Sequence, residues 1–225
     1  MYETFGAVIP AYNEAEGIAK TLERIRRYLR PEHIVVVDDG SDDDTASIAR
    51  AQGVHVIRNE RNRGKGKALS DGFGYITAIE NVEATFTLDA DGQHDPDEIP
   101  SFIDSYRRHH VDILIGNRMH TTTRMPHIRI FTNRLTSAIV SLRTGCRIED
   151  SQSGYRLIRT SILRNITLVT SHYETESEIL IKAGKKGAVI ESIPIRTIYA
   201  GERSTINPFI DTVRFFILVI RCLFW

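Results

Sequence analysis

Five short apolar runs limit what this chain can fold into. Thr4–Ile9, His33–Val37, Val54–Ile57, Ala84–Leu88 and Asp112–Gly116 are rich in Val, Ile, Phe and Thr, as buried strands are. Helical stretches separate them. In Ala15–Leu29, Ile18, Leu22, Ile25 and Leu29 fall on one stripe, with Asn13 as a cap before it and Pro31 as a stop after it. Ser41 reads as the cap of a second helix whose first turn carries Asp42 to Asp44. A third helix is expected from Ala68 and a fourth over about Asp97–Arg108. Such β-α alternation implies a mostly parallel sheet covered by helices on both faces, with ligands at the carboxyl ends of the strands. Polar clusters follow the first, second, fourth and fifth runs, so all four fall at that edge.

The cluster after the fourth run is Asp89-Ala90-Asp91-Gly92-Gln93-His94-Asp95-Pro96. Two carboxylates one residue apart repel each other unless a cation lies between them. Hard divalent ions favour such oxygens, with phosphate oxygens completing the shell. A bare D-x-D is equally a solvated acidic turn. After the second run, Asp38 and Asp39 remain once the helix start accounts for Asp42 to Asp44. The glycine-rich stretch Arg58–Lys67 is neither a dinucleotide fingerprint, since Leu69 replaces the third glycine, nor a Walker loop. It is either a solvated basic loop or one facing a phosphate.

The 225 residues suit one domain with a short appendage. Lys plus Arg and Asp plus Glu number 29 each, which gives no support to nucleic-acid binding. Two cysteines, Cys146 and Cys222, lack metal-ligand spacing, so a reducing compartment and no disulfide framework are expected. The N-terminus does not read as a signal peptide, and no uninterrupted apolar stretch reaches membrane-spanning length. In the second half a mobile loop is expected over residues 120–128 and a helix over about Arg129–Arg143. The polar run Glu149–Arg156 follows, then His172–Glu176 before a helix through Ala183, and a strand over Gly187–Ile195.

Taken together, V-I-P-A-Y-N-E (8–14), V-V-D-D-G-S-D-D-D-T (36–45), G-K-G-K-A (64–68), D-A-D-G-Q-H-D-P (89–96), I-G-N-R (115–118) and D-S-Q-S-G-Y-R (150–156) resemble the inverting family 2 glycosyltransferases of GT-A fold. Within them the chain looks most like the dolichol- or polyprenyl-phosphate sugar synthases. The resemblance covers residues 4–205 and implies a GT-A domain over 1–205, followed by an amphipathic helix over 206–225. It implies that Pro10, Tyr12, Glu14, Val37, Asp39, Lys67 and Ala90 border the nucleotide sugar. Asp89, Asp91 and Gln93 would hold Mg²⁺ or Mn²⁺ against its diphosphate. Arg118 and Arg203, the latter in the late basic loop Tyr199–Ser204, would face phosphate oxygens. Arg129 and Asn133 are candidates for the acceptor phosphate. Gln152 and Tyr155 would line the sugar site, with Glu174 or Glu176 assisting.

Sugar transfer builds negative charge on the departing diphosphate, so a metal and arginines are the groups that matter most. Water must be excluded, and the 120–128 loop is a candidate lid. A lipid monophosphate has a second pKa of about 6 and needs cations rather than a base. Arg118, Arg124, Arg129 and Arg134 supply them. A hydroxyl acceptor in glycan synthesis would need a base, and Asp150 is the candidate. In the tail, Pro208–Trp225, the charges Asp211, Arg214 and Arg221 share one stripe, which suits a helix lying in a membrane interface. Packing on the domain or in a homodimer is the competing expectation. The location expected is cytoplasmic, peripheral on the cytoplasmic face of the membrane.

Overall fold

The computed structural model describes residues 1–119, 127–196 and 208–222, with side chains throughout except at 127–129 and 208–212. The five apolar runs form β1 (Phe5–Ala11), β2 (Ile34–Asp38), β3 (His55–Arg58), β4 (Ala84–Thr87) and β5 (Ile113–Asn117). β6 (Arg156–Arg159) and β7 (Ile190–Pro194) complete a seven-stranded sheet in the order β3-β2-β1-β4-β6-β5-β7. Only β6 is antiparallel, lying between β4 and β5. The doubly wound, mostly parallel sheet expected is therefore present, with one inserted strand.

Helices cover both faces. α1 (Ile18–Ile25), α2 (Thr45–Ala51) and α4 (Ile99–His109) pack over Ile9, Val36, Phe86 and Leu114. α3 (Lys65–Ile76), α5 (His127–Thr144), α6 (Thr160–Asn165), α7 (Glu174–Lys185) and α8 (Pro208–Arg221) lie on the opposite side, over Val8, Val35, Ile113 and Ile158. β1, β2 and β4 are buried throughout, as strands covered on both faces are.

The sheet opens where its strand order reverses. From β1 the chain steps outward through β2 and β3, then returns to place β4 on the other side of β1. β1 and β4 pair only as far as Val8 and Thr87. Pro10 continues β1 beyond that point, opposite Val37. β1 was expected to stop at Ile9, but with no β4 partner beside it Pro10 leaves no ladder bond missing on that side. This gap at the carboxyl edge is where a ligand site is expected in such sheets.

Three local expectations fail for one reason, which is that tertiary partners take the capping groups. Asn13 does not cap α1; its amide donates to Ser41 Oγ at 2.9 Å and its Oδ1 accepts from the Asp42 amide at 2.9 Å. Ser41 in turn is bonded to Asp38, and α2 begins four residues later, at Thr45, where Asp43 accepts from the Thr45 amide at 3.0 Å. The third helix starts at Lys65 rather than Ala68. Gly64, at φ 95°, makes the turn, and Asp39 accepts the Arg63 and Gly64 amides at 2.9 and 2.7 Å. Further on, β7 is shorter than the Gly187–Ile195 expected.

Candidate active site

Beside the gap between β1 and β4 stands a partly buried ionic cluster. Lys65 Nζ lies 2.6 Å from Asp89 Oδ1 and 2.8 Å from Glu176 Oε1. Asp89 comes from the end of β4, Lys65 from the first turn of α3 and Glu176 from the first turn of α7. Burial alone would raise the Asp89 carboxyl, but the Lys65 ammonium outweighs it and brings it down to about 2. Lys65 is held above its ordinary value, because Asp89 and Glu176 outweigh its own desolvation. Pro10, Thr87 and Gly154 close around the same cavity. A Cβ on Gly154 would stand 3.0 Å from Asp89 Oδ2 and from Lys65 Nζ, and 3.1 Å from Glu176 Oε1. Glycine is what lets the strand approach this cluster.

Arg156 supports it from below. It is fully buried, and its guanidinium donates to the carbonyls of Ser153, Glu176 and Ser151 at 2.8, 2.6 and 2.8 Å. His94, 3% exposed, accepts the Asp89 amide at Nδ1 over 3.0 Å, which requires the neutral ring. Burial pushes its pKa down to about 4, consistent with that role. Asp91 Oδ1 accepts the Gln93 amide at 2.9 Å, which folds the turn that follows Asp89.

A second cluster follows β5. Arg118 grips Asp150 through Nε at 2.9 Å and Nη2 at 3.1 Å, and the Arg118 amide adds a third bond at 3.2 Å. Asn133 of α5 donates to the same carboxylate at 2.8 Å and accepts from Ser137 at 3.0 Å. Burial would raise Asp150, yet the Arg118 charge and these bonds hold it below the usual carboxylate range.

Of the residues expected at the site, Pro10, Asp89, Asp91, Gln93, Arg118, Asn133 and Asp150 lie along the carboxyl edge on these clusters or turns. Tyr12 is 39% exposed and Gln152 exposed, beside the edge, while Glu14 sits in the loop after β1. Five of the expected residues have partners or burial of their own. Lys67 pairs with Asp71 one helical turn on, and it is Lys65 that points inward. Asp39 is 3% exposed, its carboxylate taken by the Arg63 and Gly64 amides and Asn59 Nδ2. Tyr155 is fully buried, stacked on Phe102 and donating to the Asp95 carbonyl at 3.2 Å, so it backs the D-x-D turn rather than lining the cavity. Val37 and Ala90 are core side chains. Glu174 opens α7 next to Glu176. The Arg129 side chain, Arg124, Arg203 and residues 120–126 of the candidate lid lie outside the described residues, while its last two residues, 127 and 128, belong to α5. Lys65, Gly154 and Arg156 were not expected; the only sequence signal for Lys65 was its place in the basic G-K-G-K stretch.

No group of three or more His, Cys, Asp or Glu among the described residues forms a metal cage. Two carboxylates and an amide oxygen on one turn fit a hard ion whose remaining ligands come from a bound diphosphate. The fold recurs in solved structures. Glucosyl-3-phosphoglycerate synthase from Mycobacterium tuberculosis, in complex with Mn²⁺, uridine diphosphate and phosphoglyceric acid, superposes with a TM-score of 0.72 at 21% identity, over 98% of this chain and 77% of that one. The fold is thus the GT-A fold expected. In sequence, a UDP-N-acetylglucosamine–dolichyl-phosphate N-acetylglucosaminyltransferase of Methanococcus voltae is 32% identical, over 85% of this chain and 84% of its own length. An undecaprenyl-phosphate mannosyltransferase of Micrococcus luteus is 29% identical, over 84% and 81%. An uncharacterised protein of Methanocaldococcus jannaschii is 36% identical, over 85% and 80%. The family model for glycosyl transferase family 2 matches residues 7–167, which run from within β1 to α6 and include every member of the two ionic clusters except Glu176, and this chain belongs to that family.

Proposed function

We propose that this glycosyltransferase moves a hexose, with inversion, from a nucleotide sugar such as GDP-mannose or a UDP-hexose to a polyprenyl or dolichyl phosphate. The names of its relatives point to that acceptor. The single observation that carries the reading is the state of Asp150. It is fully buried and ionised, and its two oxygens accept from Arg118 and Asn133. A carboxylate so held is a poor proton acceptor, whereas a phosphate dianion needs none. A hydroxyl acceptor would demand a base that this cluster does not offer.

In this reading the nucleotide sugar lies across the gap between β1 and β4, its diphosphate toward the D-x-D turn. Mg²⁺ or Mn²⁺, held by Asp89, Asp91 and Gln93, would neutralise charge on the leaving diphosphate. Lys65 fixes the Asp89 carboxylate and adds a positive charge behind it. Arg118, oriented by Asp150, presents its guanidinium at the edge where the acceptor phosphate arrives, beside Asn133. Neutral His94 keeps the D-x-D turn folded through the Asp89 amide. No helix among the described residues is long and apolar enough to cross a membrane. Contact with the cytoplasmic face would be peripheral, through α8.

The test is a transfer assay with labelled GDP-mannose, UDP-glucose and UDP-N-acetylglucosamine. Polyprenyl phosphate, polyprenol and a free saccharide are offered as acceptors, with Mn²⁺ or chelator. Transfer of one sugar to the phosphate alone, lost with chelator, is the expected result. Transfer to the saccharide and none to polyprenyl phosphate would sink the reading.

A further inference from the structure

The strand inserted into the sheet also sets the distance between the two ionic clusters. β4 leads to Asp89 and β5 leads to Arg118, and β6 lies between them, antiparallel to both. Neighbouring strands stand about 4.8 Å apart, so β4 and β5 run about 10 Å apart toward the same edge. Arg156 is the first residue of β6. It pairs with Thr87, two residues before Asp89, and with Ile115, three residues before Arg118. Its place in the register is therefore level with the ends of both strands.

The side chain continues this bridge. Arg156 is 1% exposed, and its three bonds all go to main-chain carbonyls. The Ser151 carbonyl follows Asp150, whose carboxylate orients Arg118. The Ser153 carbonyl precedes Gly154, the close neighbour of Asp89 and Lys65. The Glu176 carbonyl belongs to the residue that pairs with Lys65. One guanidinium thus ties the loop between Asp150 and Gly154 to the first turn of α7, and so joins the backbone of both clusters. Two further bonds hold the same loop. Thr87 Oγ1 donates to the Gly154 carbonyl at 2.7 Å, and the Ser151 amide donates to Ser137 Oγ of α5 at 2.9 Å.

Burial pulls the Arg156 pKa down, and Glu176 and Asp150, one carboxylate from each cluster, oppose that pull. An apolar side chain of similar length would fill the space without this desolvation, but would release three carbonyls on two segments. The planar fork of an arginine holds several acceptors in one fixed geometry, which a lysine cannot. We infer that Arg156 is a positioning residue, which fixes the spacing between the metal–diphosphate cluster and the acceptor-phosphate cluster without touching either substrate. The roles of the two clusters rest on the function proposed above. Attack by the acceptor on the anomeric carbon depends on that spacing, since a misplacement of about 1 Å costs up to about 100-fold in rate. Attack by water, which needs no seat at the Arg118 cluster, does not.

The test is the ratio of transfer to hydrolysis in Arg156→Lys, with Mn²⁺ and whichever of GDP-mannose, UDP-glucose and UDP-N-acetylglucosamine the parent protein uses. Hydrolysis is attack of water on the anomeric carbon, giving free hexose, nucleoside diphosphate and a proton. The expected result is a ratio about tenfold lower in the variant, with donor affinity by calorimetry within about twofold of the parent. A loss of folded protein would lower transfer and hydrolysis alike and leave the ratio where it was. Hydrogen exchange needs no acceptor. The amides of residues 150–154 and of 174–177 should both exchange about tenfold faster, and those of α1 at the parent's rate. An unchanged ratio, or faster exchange in only one of the two segments, would overturn the inference. Arg156→Met, which removes all three donors, should lower the ratio further; should it not fold, the lysine variant decides alone. Transfer by the parent protein to a saccharide but not to polyprenyl phosphate would remove the acceptor reading. The ratio taken with that saccharide would still decide the role of Arg156.

Discussion

Two lysines two residues apart, Lys65 and Lys67, have opposite fates. Lys65 is largely buried between Asp89 and Glu176, and Lys67 is paired with Asp71 along its own helix. Removing one member of a buried ion cluster leaves charge uncompensated, whereas a helical surface pair contributes little. Lys65→Met should therefore lower stability by about 2 kcal/mol, and Lys67→Met by no more than about 0.5 kcal/mol, read from urea midpoints. Equal effects would contradict the placement of Lys65. Gly154→Ala puts a methyl against Asp89, Lys65 and Glu176 at once. Donor affinity by calorimetry should fall with a smaller change in stability than Lys65→Met produces. Asp150 carries a pH signature. Its carboxyl is held below its ordinary value of about 3.9, so its stabilisation is present above that value and is lost as pH falls through it. Asp150→Asn should be less stable at neutral pH and lose less on acidification below about pH 4. An unchanged slope of urea midpoint against pH would contradict this. Because Asp150 orients Arg118, loss of turnover in that variant does not identify a base. The D-x-D pair and Arg118 were legible as residues, since both close an apolar run. Which lysine faced them was not.

At the scale of elements, the difference came from where helices begin. α3 starts at Lys65 because Asp39 captures the two amides ahead of it and Gly64 takes the turn. That shift of three residues rotates Lys65 inward, at about 100° per residue. It also brings Gly66 against α7, where a Cβ would stand 1.9 Å from Thr175 Oγ1 and 2.7 Å from the Ser171 carbonyl carbon. Gly66→Ala should cost about 2 kcal/mol through this overpacking, measured as a lowered thermal midpoint, and should disturb Glu176, the residue after Thr175. A neutral Gly66→Ala would mean that α3 and α7 do not approach so closely. Each helix on the first face of the sheet lies within a few residues of where it was expected, α1 by its apolar stripe. Caps were misjudged because Asn13, Ser41 and Asp39 bond across loops, and nothing local distinguishes such a partner from a helix terminus.

For the whole molecule, α8 packs in the core and is also the proposed membrane contact, and a deletion would confuse the two. Its inner residues Leu218 and Cys222 are 1% and 0% exposed within the core shared with α7. Truncation before Pro208 should therefore lower the thermal midpoint, whereas Phe216→Ser and Ile220→Ser should leave it in place and weaken only vesicle binding. A truncated chain as stable as the parent would show that α8 is no part of the core. The sequence by itself determined the β-α alternation, the acidic turns at the strand ends and their gathering at one edge. Each of these follows from local period and from the rule that parallel strands end on the same side. Tertiary structure alone decided that β6 runs antiparallel between β4 and β5, since four residues of strand carry no signal of direction. It alone brought Glu176, 87 positions from Asp89, onto Lys65, and set Asn133 against Asp150. Buried charges are chosen by which partner packing brings near, and that partner is remote in the chain.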